Sequence, residues 1–349
     1  MTSQMLSDIE EQPDVLERSL REGAADIDAA ADLIRRSAPE LIVIAARGSS
    51  AYAGSYARSL IEATLGIPVV RAAPVVQTTY KRTVDWHHAV LIAISQSGGG
   101  PDVQAVVAGA SAAGIPTIAI TNDTNSGLAQ AADLVVPCRA GPEAITATKS
   151  YVTEVALLAA LVASWTGDAA LRRGLGRVPG EVAAAIADGK SWLEGGPGAD
   201  LVAALAAAHG ALVVSRGYNL ATAREVALKL TETSGLFATG VSAADFLHGH
   251  VVLATESAPL LAFRPDGPAG PSVDRALKGA VSYGARQWVV GGREAAARAG
   301  ALVLTIDLPE ALTPLPFVVP GQLLAERVAR LRGRDPDRPI GLVKVIQTL

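Results

Sequence analysis

Two α/β domains in tandem, each a mostly parallel, doubly wound sheet flanked by helices, are predicted for this chain from two observations. The first is a recurring unit, in which a short apolar run leads into a turn of small residues and then a helical pattern. The second is that the pattern returns at a fixed offset. Residues 211–217, Ala-Leu-Val-Val-Ser-Arg-Gly, echo 42–48, Ile-Val-Ile-Ala-Ala-Arg-Gly, so that Gly217 lies 169 residues beyond Gly48. At the same offset residues 91–94 fall on 260–263, and Gly114 falls within one residue of it on Gly284. A repeat this long marks a duplicated domain rather than a solenoid unit.

The elements follow in order. Residues 5–35 read as helix, with Met5, Ile9, Val15, Leu16 and Leu20 at helical spacing around a turn signal at Gln12-Pro13-Asp14. Residues 40–46 are a buried strand, and Arg47-Gly48-Ser49-Ser50 opens onto a helix over 51–65. Residues 89–94 are apolar without interruption, as expected of a strand covered on both faces. They run into Ser95-Gln96-Ser97-Gly98-Gly99-Gly100 before a helix resumes at Pro101 with Val103, Val106 and Val107. Strands over 117–121 and 133–137 and a helix from 148 to 165 complete the first copy. A polar, glycine-rich passage near 167–179 and a helix ending near Gly195 separate it from the second. The expected organisation is a helical segment 1–35, a first domain 36–170, a linker helix 171–198, a second domain 199–335 and a tail 336–349.

Composition narrows the function. A chain of 349 residues that is 50% apolar, with mean hydropathy +0.31, can build two real cores. No apolar run approaches the roughly 18–20 residues that a membrane span needs. Met1-Thr2-Ser3-Gln4-Met5 lacks an export signal, so the cytoplasm is the expected location. Net charge is −4 with pI near 5.8 and no basic block, which argues against a nucleic-acid partner. Cys138 is the single cysteine, so an internal disulfide and a cysteine-based metal cluster are excluded; following a strand, it reads as a buried structural thiol.

On such sheets ligands bind beyond the carboxyl ends of the strands, where Ser49, Ser50, Ser95 and Ser97 cluster. Their hydroxyls, with backbone N–H groups at helix N-termini, can surround a phosphate without a metal or a basic side chain. At the repeat offset the second copy has Arg264-Pro265-Asp266-Gly267 in place of Ser95-Gln96-Ser97-Gly98. One phosphate site per chain, in the first copy, is the expectation. The second copy carries titratable groups instead: Arg224, Glu225, Lys229, Glu232, Asp245, His248 and His250. Taken alone, Glu225 and Lys229 are an ordinary i,i+4 helix pair. His248 and His250 have no third His or Cys close by, and no metal is expected.

Ser95-Gln96-Ser97-Gly98, the helix Glu225-Val-Ala-Leu-Lys229-Leu-Thr-Glu232, the pair His248-Gly249 and the stretch from Asp335 to Lys344 together resemble the isomerase half of glucosamine-6-phosphate synthase, which is built from two sugar isomerase (SIS) domains. The resemblance runs from Met5 to the C-terminal stretch. It implies a flavodoxin-like sheet in each domain and an amino sugar phosphate as ligand. It further implies that Glu232 is the carboxylate that shuttles a proton between C1 and C2, that His248 assists ring opening, that Lys344 contacts the open-chain carbonyl region and that Lys229 helps position or polarise. Ser49, Ser50, Ser95, Gln96 and Ser97 would hold the phosphate, and Gly48, Ala147 and Thr148 the rest of the sugar. No cofactor is implied. The minimal active unit would be a homodimer, with His248 reaching the neighbouring subunit's site.

Departures from the family pattern are Ile340, where the synthase has an arginine, Gly100 in place of a third hydroxyl of the phosphate loop, and a segment 142–149 one residue shorter. No glutaminase domain is seen, and Thr2 stands where its nucleophilic cysteine would be. The expected activity is therefore conversion of glucosamine 6-phosphate to fructose 6-phosphate and ammonia. A fructosamine-6-phosphate deglycase, a galactosamine or tagatose phosphate variant, and a non-catalytic amino sugar phosphate sensor are the alternatives.

Overall fold

The computed structural model describes residues 2–344. The described residues form two compact units, one made of Asp14–Glu143, Lys149–Gly176 and 343–344, the other of 2–13, Ala144–Thr148 and Arg177–Leu342.

The first of these holds a sheet of β1 (Leu41–Ala46), β2 (Val69–Arg71), β3 (Ala89–Ser95), β4 (Thr117–Thr121) and β5 (Leu134–Pro137). All neighbours are parallel, in the order β2-β1-β3-β4-β5. The other unit holds β6 (Gly210–Ser215), β7 (Phe237–Ser242), β8 (Leu260–Arg264), β9 (Gln287–Gly291) and β10 (Leu302–Val303). Its parallel order, β7-β6-β8-β9-β10, is the same topology, as the repeat predicts. In each sheet the chain changes winding direction between the first strand and the third. Between β1 and β3, and again between β6 and β8, this leaves a crevice beyond the carboxyl ends of the strands.

Uninterrupted apolar runs become central strands because helices cover both faces. Val43, Ala45, Leu91 and Ala93 pack with Val103, Val106 and Val107 of the helix Pro101–Ala112. On the opposite face Ile44 meets the helix Gly48–Leu65, so closely that a Cβ on Gly54 would stand 2.7 Å from its Cγ2. The second sheet repeats the plan, with Leu212, Val214, Leu260 and Ala262 packed against Phe246, Val273 and Leu277.

Several elements have no counterpart in the sequence expectation. β2 and β10 span three and two residues, too few to show a period. The polar passage after residue 167 contains the helix Ala169–Leu175, which Asp168 caps by accepting from the N–H groups of Ala170 and Leu171. The helical segment at the start is three helices, Gln4–Glu10, Gln12–Glu22 and Ala24–Ser37. The first of them belongs with the second sheet: Asp8 accepts from the Ala144 N–H at 2.7 Å, and the Gln12 amide donates to Gln322 at 2.6 Å. Among the described residues no helix is long and apolar enough to cross a membrane.

Candidate functional site

The crevice between β1 and β3 is built by two strand-to-helix turns. After β1 the chain turns at Gly48, φ +52°, and after β3 at Gly98, φ +58°, backbone that favours glycine. Gly98 is also forced by space, since a Cβ there would fall 2.0 Å from Ser126 Oγ. Over Gly48 a Cβ would meet nothing within 4 Å, so the crevice is open at that point.

The serines divide by what their hydroxyls do. Ser95 Oγ accepts the Gly98 N–H and Ser97 Oγ the Gly99 N–H, each at 3.2 Å. Each hydroxyl, accepting at its oxygen, keeps a proton available to donate to a ligand. Ser50 differs: its hydroxyl donates to the buried Glu154 carboxylate at 2.9 Å and so anchors the turn to the helix Lys149–Thr166. Ser49 is buried beside it, and the Gln96 carbonyl accepts from the Asn122 N–H at 3.0 Å.

A basic side chain also stands at the rim of this crevice: Arg47 Nε is 2.6 Å from Oδ2 of the buried Asp102 at the start of the helix Pro101–Ala112. The repeat preserves Arg47-Gly48 as Arg216-Gly217.

The second sheet keeps the backbone of the crevice and fills it. Gly217 and Gly267, 169 residues beyond Gly48 and Gly98, again have positive φ, +62° and +99°. Between them lies the Glu310 carboxylate. Its Oε1 is 3.7 Å from where a Cβ on Gly217 would be, and its Oε2 is 2.6 Å from a Cβ on Gly267. Burial pushes the Glu310 carboxyl above the usual carboxylate range, and a hydrogen bond from the Ala269 N–H offsets this only in part. Burial, reinforced by Glu310, also raises the Tyr218 phenol. At the position of Ser95 stands Arg264, a buried guanidinium 2.6 Å from Glu294 and 3.0 Å from Asp274. Burial acts to raise the Asp274 carboxyl, but Arg264 and Arg298 outweigh it and hold it below its ordinary value.

On the helix Leu220–Ser234, Glu225 and Lys229 are an interior pair and not a solvated one, with side chains 0% and 1% exposed. Lys229 Nζ lies 3.4 Å from Glu225 Oε1 and 2.5 Å from Glu232 Oε2. Two carboxylates offset the cost of burying the ammonium. Glu232 retains 22% exposure and so offers a carboxylate backed by a cation.

His248 is exposed, its N–H bonded to the Asp245 carbonyl at the end of the helix Ala243–Leu247. Ala147 and Thr148 fall in the same compact unit as these residues, the Thr148 carbonyl accepting from Gln322 Nε2 at 3.4 Å. Lys344 falls in the other unit, together with Gly48, Ser49, Ser50, Ser95, Gln96 and Ser97. Its Nζ is 3.2 Å from Oε1 of Glu143, a buried carboxylate that also accepts from the N–H and hydroxyl of Ser150. Cys138 is buried as expected, and burial, then Glu154 and Glu143, push its thiol well above the ordinary value.

The SIS domain family model matches residues 35–164 and 204–285. A glutamine–fructose-6-phosphate aminotransferase (isomerizing) of Thermococcus kodakarensis is 31% identical over 98% of this chain. The chain spans 57% of that relative's length. A crystal structure from Silicibacter pomeroyi, described as that of a candidate phosphosugar isomerase, is 32% identical, has a TM-score of 0.86 and aligns with 96% of this chain and 100% of its own. A glucosamine-6-phosphate deaminase from Thermotoga maritima shares the fold, with a TM-score of 0.81 at 20% identity over 99% of this chain and 100% of its own.

Proposed function

This chain belongs to the SIS domain family, and from that membership we propose that it is a phosphosugar isomerase acting on an amino sugar phosphate, converting glucosamine 6-phosphate and water to fructose 6-phosphate and ammonia. The observation that carries the proposal is the buried Glu225-Lys229-Glu232 cluster, which leaves one partly exposed carboxylate held against an ammonium. Moving a proton between C1 and C2 of an open-chain sugar requires a base of this kind, and Glu232 takes that role. Ser95 and Ser97, with free hydroxyl protons at an open crevice, hold the phosphate. His248 assists ring opening and Lys344 contacts the carbonyl region, roles that rest on the resemblance of their motifs.

The test is incubation of the purified protein with glucosamine 6-phosphate, assaying ammonia and fructose 6-phosphate. Both products in equal amounts are expected. Tight binding without either product would sink the deaminase reading and leave deglycase substrates or a sensor role as the replacement.

A further inference from the structure

The crevice between β1 and β3 contains a cation that the phosphate reading does not use. Arg47 is the N-cap of the helix Gly48–Leu65, and its partner Asp102 lies in the first turn of the helix Pro101–Ala112. The guanidinium therefore sits between the N-termini of the two helices that flank the crevice, where orphan N–H groups already favour an anion.

Its anchoring is one-sided. Only Nε is engaged, by Asp102 Oδ2 at 2.6 Å, while Oδ1 of the same carboxylate accepts the Val103 N–H at 2.8 Å. Among the described residues Nη1 and Nη2 have no partner, and the side chain is 51% exposed. An arginine held in this way is oriented, with its two solvent-facing terminal nitrogens set to take a tetrahedral oxyanion in a forked contact. A second guanidinium stands close by, Arg71 Nη2 lying 3.4 Å from the carbonyl of Ala46 at the end of β1.

We infer that Arg47 determines the anion specificity of this crevice: pinned by Asp102, it presents Nη1 and Nη2 from the β1 side to a phosphate monoester dianion. The inference rests on the reading of this crevice as the phosphate site, so the experiment separates the two.

Binding of inorganic phosphate is measured by calorimetry on the full chain for wild type, Ser97→Ala, Arg47→Ala, Arg47→Lys and Asp102→Asn, and KM and kcat are measured with glucosamine 6-phosphate. Losing a charge-assisted forked contact weakens phosphate binding by about tenfold to a hundredfold in Arg47→Ala, with KM rising by a similar factor and kcat nearly unchanged. Arg47→Lys recovers part of the loss, because an ammonium restores the charge without the fork. Asp102→Asn falls between, since it frees the anchor and leaves the cation. A general loosening of the fold would lower kcat as well, so the KM-only pattern marks the contact. Phosphate affinity unchanged in both Arg47 variants, with Ser97→Ala impaired, overturns the inference and leaves the crevice reading standing. Affinity unchanged in all of them removes both.

Discussion

Glu232 and Glu310 bring the same functional group into opposite settings. Glu232 is braced by Lys229 and reaches solvent, so Glu232→Gln is expected to bind phosphate sugars as wild type does and to lose turnover; an undiminished rate of ammonia release would remove it from the mechanism. Glu310 is half-buried against Gly217 and Gly267 with its carboxyl pushed up by burial. The folded protein therefore holds this proton more tightly than the unfolded chain does. Its contribution to stability is complete below the ordinary glutamate range and is lost as pH rises through the raised value. Wild type should thus lose stability relative to Glu310→Gln over that rise, and parallel stability–pH curves for the two proteins would contradict the assignment. For the cradle, Ser97→Ala removes a hydrogen bond to a charged group, worth about 1.5–3 kcal/mol. The apparent KM should rise accordingly, and an unchanged KM would place the phosphate elsewhere.

At the scale of elements, the helix Leu220–Ser234 derives its role from being buried on the side that carries its charges. Lys229→Ala leaves Glu225 in the interior without its cation and should cost about 3–5 kcal/mol in a denaturant titration. Replacing the pair together, Lys229→Met with Glu225→Leu, should restore most of that stability while activity stays absent, which separates folding from chemistry. The helix also sits tightly on β7. A Cβ on Gly240 would lie 2.4 Å from Arg224 Cα, and backbone cannot yield cheaply, so Gly240→Ala should destabilise by about 1–3 kcal/mol. Legibility at this scale followed burial. β1 and β3 stand out in the sequence because both faces are covered, whereas β2 ends in two exposed residues and looks like loop.

For the molecule as a whole, duplication supplied two crevices and side chains differentiated them. One is open over Gly48, and the other is occupied by Glu310. Calorimetry should accordingly count one phosphate per chain, and two equal sites would contradict the closure of the second crevice. We also propose that the working unit is a homodimer to which His248 is contributed across subunits. Mixing inactive Glu232→Gln and His248→Ala chains should then recover about a quarter of wild-type activity, from the mixed dimers that keep one complete site; no recovery would confine each site to its own chain.

The sequence by itself determined the fold class, the duplication and the hydroxyl-rich turn at Ser95-Gln96-Ser97-Gly98, because each is written in short-range periodicity and in residues whose backbone freedom or donor chemistry acts locally. It left undecided whether Glu225 and Lys229 face water, what holds Ser50, and what lies in the second crevice. Those depend on partners distant in the chain, Glu154 standing 104 residues from Ser50 and Asp102 standing 55 residues from Arg47. Burial and electrostatic pairing are properties of the packed chain. Only the tertiary structure, by removing water around particular groups and bringing particular charges within hydrogen-bond reach, decided that Lys229 is interior, that Glu310 fills one crevice and that Arg47 stands at the rim of the other.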